Sequence, residues 1–172
     1  ITHGTDTMEE TAYFLNLVVN SDKPVVLVGA MRPSTAISAD GPRNLYNAVV
    51  TAAAPESKNK GVLVVMNDKI LGAESVTKMH TTGVDTFQAP NAGALGYVFN
   101  SKVFYNQEPL KKHTKESVFN VNKLDKLPKV GIVYSHAGVN ADMVEPMLAN
   151  GYQGIIHAGV GNGNIHKDIF PV

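Results

Sequence analysis

The sequence predicts an α/β fold of parallel sheets with flanking helices, in two α/β units that are each incomplete here. Three observations carry this. Four short apolar runs, residues 25–28, 62–66, 130–134 and 154–158, are too short for helices and lack apolar/polar alternation, so each is expected to be a strand covered on both faces. Amphipathic helical stretches occupy 8–19 and 44–53. Strands alternating with helices imply βαβ units with parallel pairing.

In chain order, Ile1-Thr2-His3-Gly4 reads as the close of a buried strand. The helix at 8–19 places Met8, Ala12, Leu15 and Val19 on one stripe. After the strand at 25–28, Ala39-Asp40-Gly41-Pro42-Arg43-Asn44 is a turn into a helix, with Pro42 near the first helical position and a structural role expected for the segment. That helix sets Leu45, Ala48, Val49 and Ala52 on one stripe. The strand at 62–66 leads to Met66-Asn67-Asp68-Lys69, read as a strand-to-helix junction. Residues 95–106 form a β-hairpin near a sheet edge, because Tyr97-Val98-Phe99 and Val103-Phe104-Tyr105 flank the polar tip Asn100-Ser101-Lys102. Residues 108–126 are charged and weakly periodic, as in a linker. The expected organisation is therefore 1–107 as the rear part of one α/β domain, 108–126 as linker, and 127–172 as the front part of a second. The chain stops at Asp168-Ile169-Phe170-Pro171-Val172, on what reads as the opening of a helix, and a fragment of a longer protein is expected.

Composition narrows the function classes. The 172 residues include 15 Lys+Arg and 15 Asp+Glu, a net charge of zero, which argues against a nucleic-acid or other polyanion surface. With 44% hydrophobic residues the chain can build a core. Its zero cysteines leave no thiolate nucleophile, disulfide or cysteine metal site within these residues. The apolar runs fall far short of the ~20 residues of a membrane-spanning helix. Histidines at 3, 80, 113, 136, 157 and 166 show no metal-ligand spacing, so no metal is assigned.

In open parallel sheets ligands bind beyond the carboxyl ends of strands, where loops enter helices. His3-Gly4-Thr5-Asp6-Thr7-Met8-Glu9-Glu10 is such a junction, with Thr7 and Glu10 in capping-box spacing. Thr5 and Asp6 then sit at a helix N-terminus, suited to an anionic group and a tuned hydroxyl, although plain capping explains the same residue types. Lys78 lies after the second junction; a loop lysine is ordinarily a surface charge, but beside a threonine and an aspartate its amine can relay a proton. Gly159-Val160-Gly161-Asn162-Gly163-Asn164 lacks the Gly-x-Gly-x-x-Gly spacing of dinucleotide binding, which removes a nicotinamide-dependent oxidoreductase. It suits a close-approach loop offering amides to a small polar ligand, or a plain turn.

The run from His3 to Ala12 resembles the second signature of the bacterial type II L-asparaginases and glutaminase-asparaginases. Agreement continues in order through Val28-Gly29-Ala30-Met31-Arg32-Pro33, Ser38-Ala39-Asp40-Gly41-Pro42, Val64-Val65-Met66-Asn67-Asp68, Thr77-Lys78 and Ala158 to Asn164, over essentially the whole chain. The resemblance implies a cofactor-free amidohydrolase converting L-asparagine to L-aspartate and ammonia, with L-glutamine as a side substrate. By the same resemblance catalysis is expected to be by threonine, with Thr5, Asp6 and Lys78 as the threonine-aspartate-lysine relay. Asp6 also binds the substrate's α-amino group, the Ala30 backbone accepts from the leaving amide, and Asn164 approaches from a neighbouring subunit of a homotetramer. It further implies export to the periplasm, type I relatives being cytoplasmic; Ser21 stands where some exported relatives carry a disulfide cysteine. The family's Gly-Gly-Thr-Ile motif with its primary nucleophile, its tyrosine-bearing mobile loop and its Ser-Gln carboxylate-binding pair have no counterpart in these 172 residues. By itself this chain is therefore expected to hydrolyse substrate negligibly. The alternative function is an inactive fragment, or an amino-acid-binding or assembly module without the nucleophile.

Overall fold

In the structure, a computed structural model, residues 1–122 and 124–169 are described. The chain divides into two units, Ile1–Val121 and Asn122–Val172. In the first, β1 (Val25–Leu27) and β2 (Val62–Met66) pair in parallel, Val25 opposite Val62 and Leu27 opposite Val64. All five side chains of β2 are buried, as the unbroken apolar run requires of a strand covered on both faces. Residues 1–3 extend the pairing beside β1, with a parallel Thr2–Val28 bridge and His3 N donating to Val28 O at 2.9 Å. Ile1 is 61% exposed, however, so this strand end is not the buried one expected.

Helices α1 (Met8–Val18) and α2 (Gly41–Ala53) both pack against β2. On α1 the expected stripe holds at Met8 and Ala12, which are buried, and at partly buried Leu15, while Val19 lies past the helix end. A polar residue completes that face: Asn16 is buried and its Oδ1 accepts from Val62 N at 2.9 Å. On α2 the expected stripe is wrong except for Ala48. Leu45 and Val49 are 48% and 60% exposed and Ala52 is exposed, whereas Asn44, Asn47 and Thr51 face inward. The reason is that each inward polar group has a partner in place, so burial carries no unpaired hydrogen-bonding cost. Asn47 Nδ2 donates to Asp68 Oδ1 at 2.7 Å and Thr51 Oγ1 to Asn47 O at 2.8 Å.

The junction read at Met66-Asn67-Asp68-Lys69 is instead a tight hairpin turn. Asn67 and Asp68 have φ of 49° and 62°, and β2 returns as antiparallel β3 (Lys69–Gly72). Short Asx side chains tolerate the left-handed region that a two-residue turn needs. The small ribbon of β4 (Thr77–Lys78) and β5 (Phe87–Gln88) follows. Then β6 (Gly96–Phe99) and β7 (Lys102–Tyr105) form a second hairpin through Asn100 and Ser101, giving a five-stranded sheet in the order β1-β2-β3-β6-β7 with β7 at its edge. Residues 108–121, read above as linker, lie in the first unit; they include a 3₁₀ turn at Thr114–Glu116 with Thr114 buried.

In the second unit, β8 (Val130–Tyr134) and β9 (Gly154–Ala158) pair in parallel, Val130 opposite Gly154 through Tyr134 opposite Ala158. Between them in sequence comes the five-residue α3 (Glu145–Ala149). It covers one face only: a Cβ on Gly131 would come 2.6 Å from Met147 Sδ, while Val130, Ile132 and Tyr134 on the other face are 46%, 56% and 71% exposed. The expectation that β8 is covered on both faces thus fails among the described residues. Of the expected helix opening, Lys167–Ile169 form a 3₁₀ turn and residues 170–172 lie outside the described residues.

Candidate active site

The carboxyl end of β1 and the start of α1 meet at Gly29, where a Cβ would lie 2.8 Å from His3 O and 3.2 Å from Thr5 Cγ2. This close approach puts Thr5 and Asp6 just ahead of α1. β4 brings Lys78 to the same place from 73 residues away, with Nζ 2.9 Å from Thr5 Oγ1 and 2.7 Å from Asp6 Oδ1. The lysine side chain is only 16% exposed, whereas that of Asp6 is 93% exposed. One face of this three-residue chain is therefore sheltered and the other open. An ammonium or amine donating to a hydroxyl, itself steadied by a carboxylate, is an arrangement that can pass a proton to or from the hydroxyl oxygen.

The Thr7–Glu10 capping box does not form. Thr7 is the N-cap but makes no side-chain cap bond, and Glu10 is exposed. The first turn is used differently: the Glu9 carboxylate accepts from the backbone N–H of Lys78. This ties β4 to α1 and so holds Lys78 against Thr5 and Asp6, a role that no sequence spacing signals, because the partners lie 69 residues apart.

The hydrogen bond and the positive charge of Lys78 hold the Asp6 carboxyl below its ordinary pKa, outweighing slight desolvation. For a carboxylate with a lowered folded-state pKa, the interaction is present above the ordinary carboxylate range and is lost as pH falls through the lowered value. An NMR titration of the Asp6 carboxyl is expected to give a midpoint below 3.8, returning toward 3.8 in Lys78→Met. A wild-type midpoint at or above 3.8 would mean that the pair does not persist in solution.

Ala30 follows Gly29 and lines, with His3, Gly4 and Gly41, an open cleft of about 470 Å³. A more enclosed hollow of about 300 Å³ lies at the opposite, amino end of β2, against Lys60, Val62, Gly72 and Leu95, and contains none of the candidate residues. The loop bearing Ala30 is tied down by residues read above as structural only. Asp40 accepts from Met31 N at 2.9 Å and Arg32 N at 2.9 Å, and Asn44 Nδ2 donates to Gly29 O at 3.1 Å. Met66 Sδ accepts from Gly29 N at 3.3 Å. Asp40 carried a local signal, a carboxylate before Gly-Pro at a helix start, but that signal points to capping.

Asn164 belongs to the second unit, in the turn after β9. Its N–H donates to Val160 O at 2.9 Å, Gly161 and Gly163 have φ of 59° and 88°, and its side chain is exposed. So the first unit brings Thr5, Asp6 and Lys78 into contact, with Ala30 one residue past the Gly29 approach to Thr5, while Asn164 is presented by a separate glycine turn.

The family model described as "Asparaginase, N-terminal" matches residues 1–111, and that described as "Glutaminase/Asparaginase C-terminal domain" matches 129–172. The chain is 60% identical over 170 residues to L-asparaginase 2 of Escherichia coli, covering 99% of the chain and 49% of that protein. It is 61% identical over 166 residues to the probable periplasmic L-asparaginase of Haemophilus influenzae, covering 96% of the chain and 48% of that protein. The crystal structure of a probable cytoplasmic L-asparaginase from Campylobacter jejuni superposes with a TM-score of 0.96 at 56% identity, over 99% of this chain and 56% of that one. The chain thus spans about half the length of the curated relatives it matches. With the two asparaginase family models matching residues 1–111 and 129–172, and 60% identity to an L-asparaginase 2 over 170 residues, the chain belongs to the bacterial type II L-asparaginase family.

Proposed function

We propose that the protein carrying this chain hydrolyses the side-chain amide of L-asparagine to L-aspartate and ammonia, with L-glutamine as a side substrate. The observation that carries this is the Lys78 Nζ contact to both Thr5 Oγ1 and Asp6 Oδ1. Hydrolysis adds water across the C–N bond: an oxygen nucleophile bonds to the carbonyl carbon, the C–N bond breaks, and nitrogen leaves as ammonia with a proton delivered to it. Lys78 and Thr5 relay protons in these steps. The open Asp6 carboxylate offers a partner for the substrate's α-ammonium, and the Ala30 peptide accepts from the amide that becomes ammonia. Asn164 enters a site completed between subunits of a homotetramer. The name of the second family model, glutaminase/asparaginase, supports the wider amide range. A periplasmic location is part of the proposal, supported by the name of the Haemophilus relative; the Campylobacter relative is described as cytoplasmic, and cell fractionation decides between them.

The test is ammonia release from asparagine by the whole protein that carries this sequence. Thr5→Ala is expected to lower it about 10³-fold, within the usual worth of an activating group in covalent or acid-base catalysis. Ammonia release that survives Thr5→Ala would refute the assignment, and asparagine binding with no ammonia from the wild type would identify an amino-acid-binding module instead.

A further inference from the structure

Within the loop 29–32, nearly every peptide group that faces the fold is occupied. Gly29 N–H goes to Met66 Sδ, Gly29 C=O receives Asn44 Nδ2, and Met31 and Arg32 N–H groups both go to Asp40. Asn44 Nδ2 also donates to Asp40 Oδ2 at 3.0 Å, and its Oδ1 accepts from Asn67 N at 3.0 Å. Among the described residues, the Ala30 N–H and C=O have no hydrogen-bond partner, and Ala30 lines the open cleft. Ala30 is exposed, so its peptide is open to a ligand in the cleft, while the N–H groups of Gly29, Met31 and Arg32 on either side are fixed by the fold.

Resting on the hydrolysis proposed above, we infer that Asp40, acting with Asn44, is a positioning residue: it fixes the loop so that the Ala30 peptide meets the substrate's side-chain amide. Asp40 stands at the N-cap of α2, yet its backbone is helical, φ −86° and ψ −18°, and its side chain makes no capping bond to the helix's backbone N–H groups. The carboxylate is given over to the loop. Burial would raise its pKa, but the Met31 and Arg32 N–H groups and the Asn44 amide outweigh burial and keep it below the ordinary value. It is therefore ionised and acceptor-only at any pH above the ordinary carboxylate range. Asp40 does not touch substrate, since its two oxygens are already engaged by Met31, Arg32 and Asn44. Its effect is on placement. A leaving amide held about 1 Å out of position loses about 100-fold in rate, even when overall binding is kept.

The experiment compares Asp40→Ala, Asp40→Asn and Thr5→Ala with wild type in the whole protein, measuring kcat and KM for asparagine well below each melting temperature. Asp40→Ala is expected to lower kcat about 30- to 100-fold while KM moves less than about 3-fold. Asp40→Asn keeps an oxygen for the two loop N–H groups but turns an NH₂ toward Asn44 Nδ2, so it is expected to lose only about 3- to 10-fold in kcat. This graded rescue separates positioning from a merely structural role, which would lower melting temperature and leave kcat of the folded enzyme unchanged. If Asp40→Ala does not fold, Asp40→Asn alone decides. A kcat equal to wild type in a folded Asp40 variant, with Thr5→Ala inactive, overturns this inference and leaves the hydrolysis standing; an inactive wild type overturns both.

Discussion

Replacing Lys78 with methionine in the whole protein that carries this sequence is expected, on the hydrolysis proposed above, to lower asparagine turnover about 10³-fold, the middle of the range for a positioned proton-transfer group. Methionine keeps the unbranched, largely sheltered stem but deletes Nζ, so Thr5 Oγ1 and Asp6 Oδ1 lose their common donor at once. Stability should barely change. The pair joins a lysine at 16% exposure to an aspartate at 93%, and an ion pair with one partner in water contributes little to folding. The Glu9 contact is made by the backbone N–H of residue 78 and survives the substitution. Steady-state ammonia release and thermal denaturation on the same preparation check both parts. Near-normal turnover would remove Lys78 from the mechanism, and a large drop in melting temperature would make it a structural residue instead.

Gly29→Ala is expected to damage stability and activity together. The added methyl would sit 2.6 Å from Met8 Cε and 2.8 Å from His3 O. Met8 Cε is the end of a flexible side chain, but His3 O is backbone and its segment is pinned by the His3 N–H bond to Val28 O. Overpacking of this kind costs about 1–3 kcal/mol. Relief must come from moving residues 3–5, which carry Thr5, and a shift of about 1 Å there is enough to lower turnover about 100-fold. Chemical denaturation and kcat measure the two effects. Unchanged values for both would show that the β1–α1 approach is looser than the 2.8 Å from an added Cβ to His3 O implies.

The core strands were legible because burial on both faces needs an unbroken apolar run, and β2 is one. The helix α2 was legible in position but not in orientation. Its apolar residues suggested an inward face of Leu45, Ala48, Val49 and Ala52, yet Asn44, Asn47 and Thr51 occupy most of it. Hydropathy ranks these polar residues as outward because it cannot see the acceptors waiting for them, such as Gly29 O and Asp68 Oδ1. The β2–β3 turn was misread for a related reason: Asn67-Asp68 is a turn pair, but apolar residues on both sides suit a helix entry as well as a hairpin.

Thr5 and Asp6 were placed at a helix start by a strand end and a glycine within a few residues, with plain capping an equal explanation of them, and Lys78 was singled out only through the family resemblance. The bonds of Glu9 to Lys78 N and of Asp40 to the 29–32 loop were legible in neither way. Local features follow from local chemistry: apolar runs make strands, Asx residues accept left-handed turns, and a glycine before a helix frees the backbone. That much needs no fold, because the interactions involved span a few residues. The meeting of Lys78 with Thr5 across 73 residues, the bond of Glu9 to Lys78 N across 69, and the pinning of the 29–32 loop by Asp40 and Asn44 exist only once β1, β2 and β4 are in place. A hydrogen bond depends on distance and direction in space, and those are properties of the assembled sheet and helices, not of spacing along the chain.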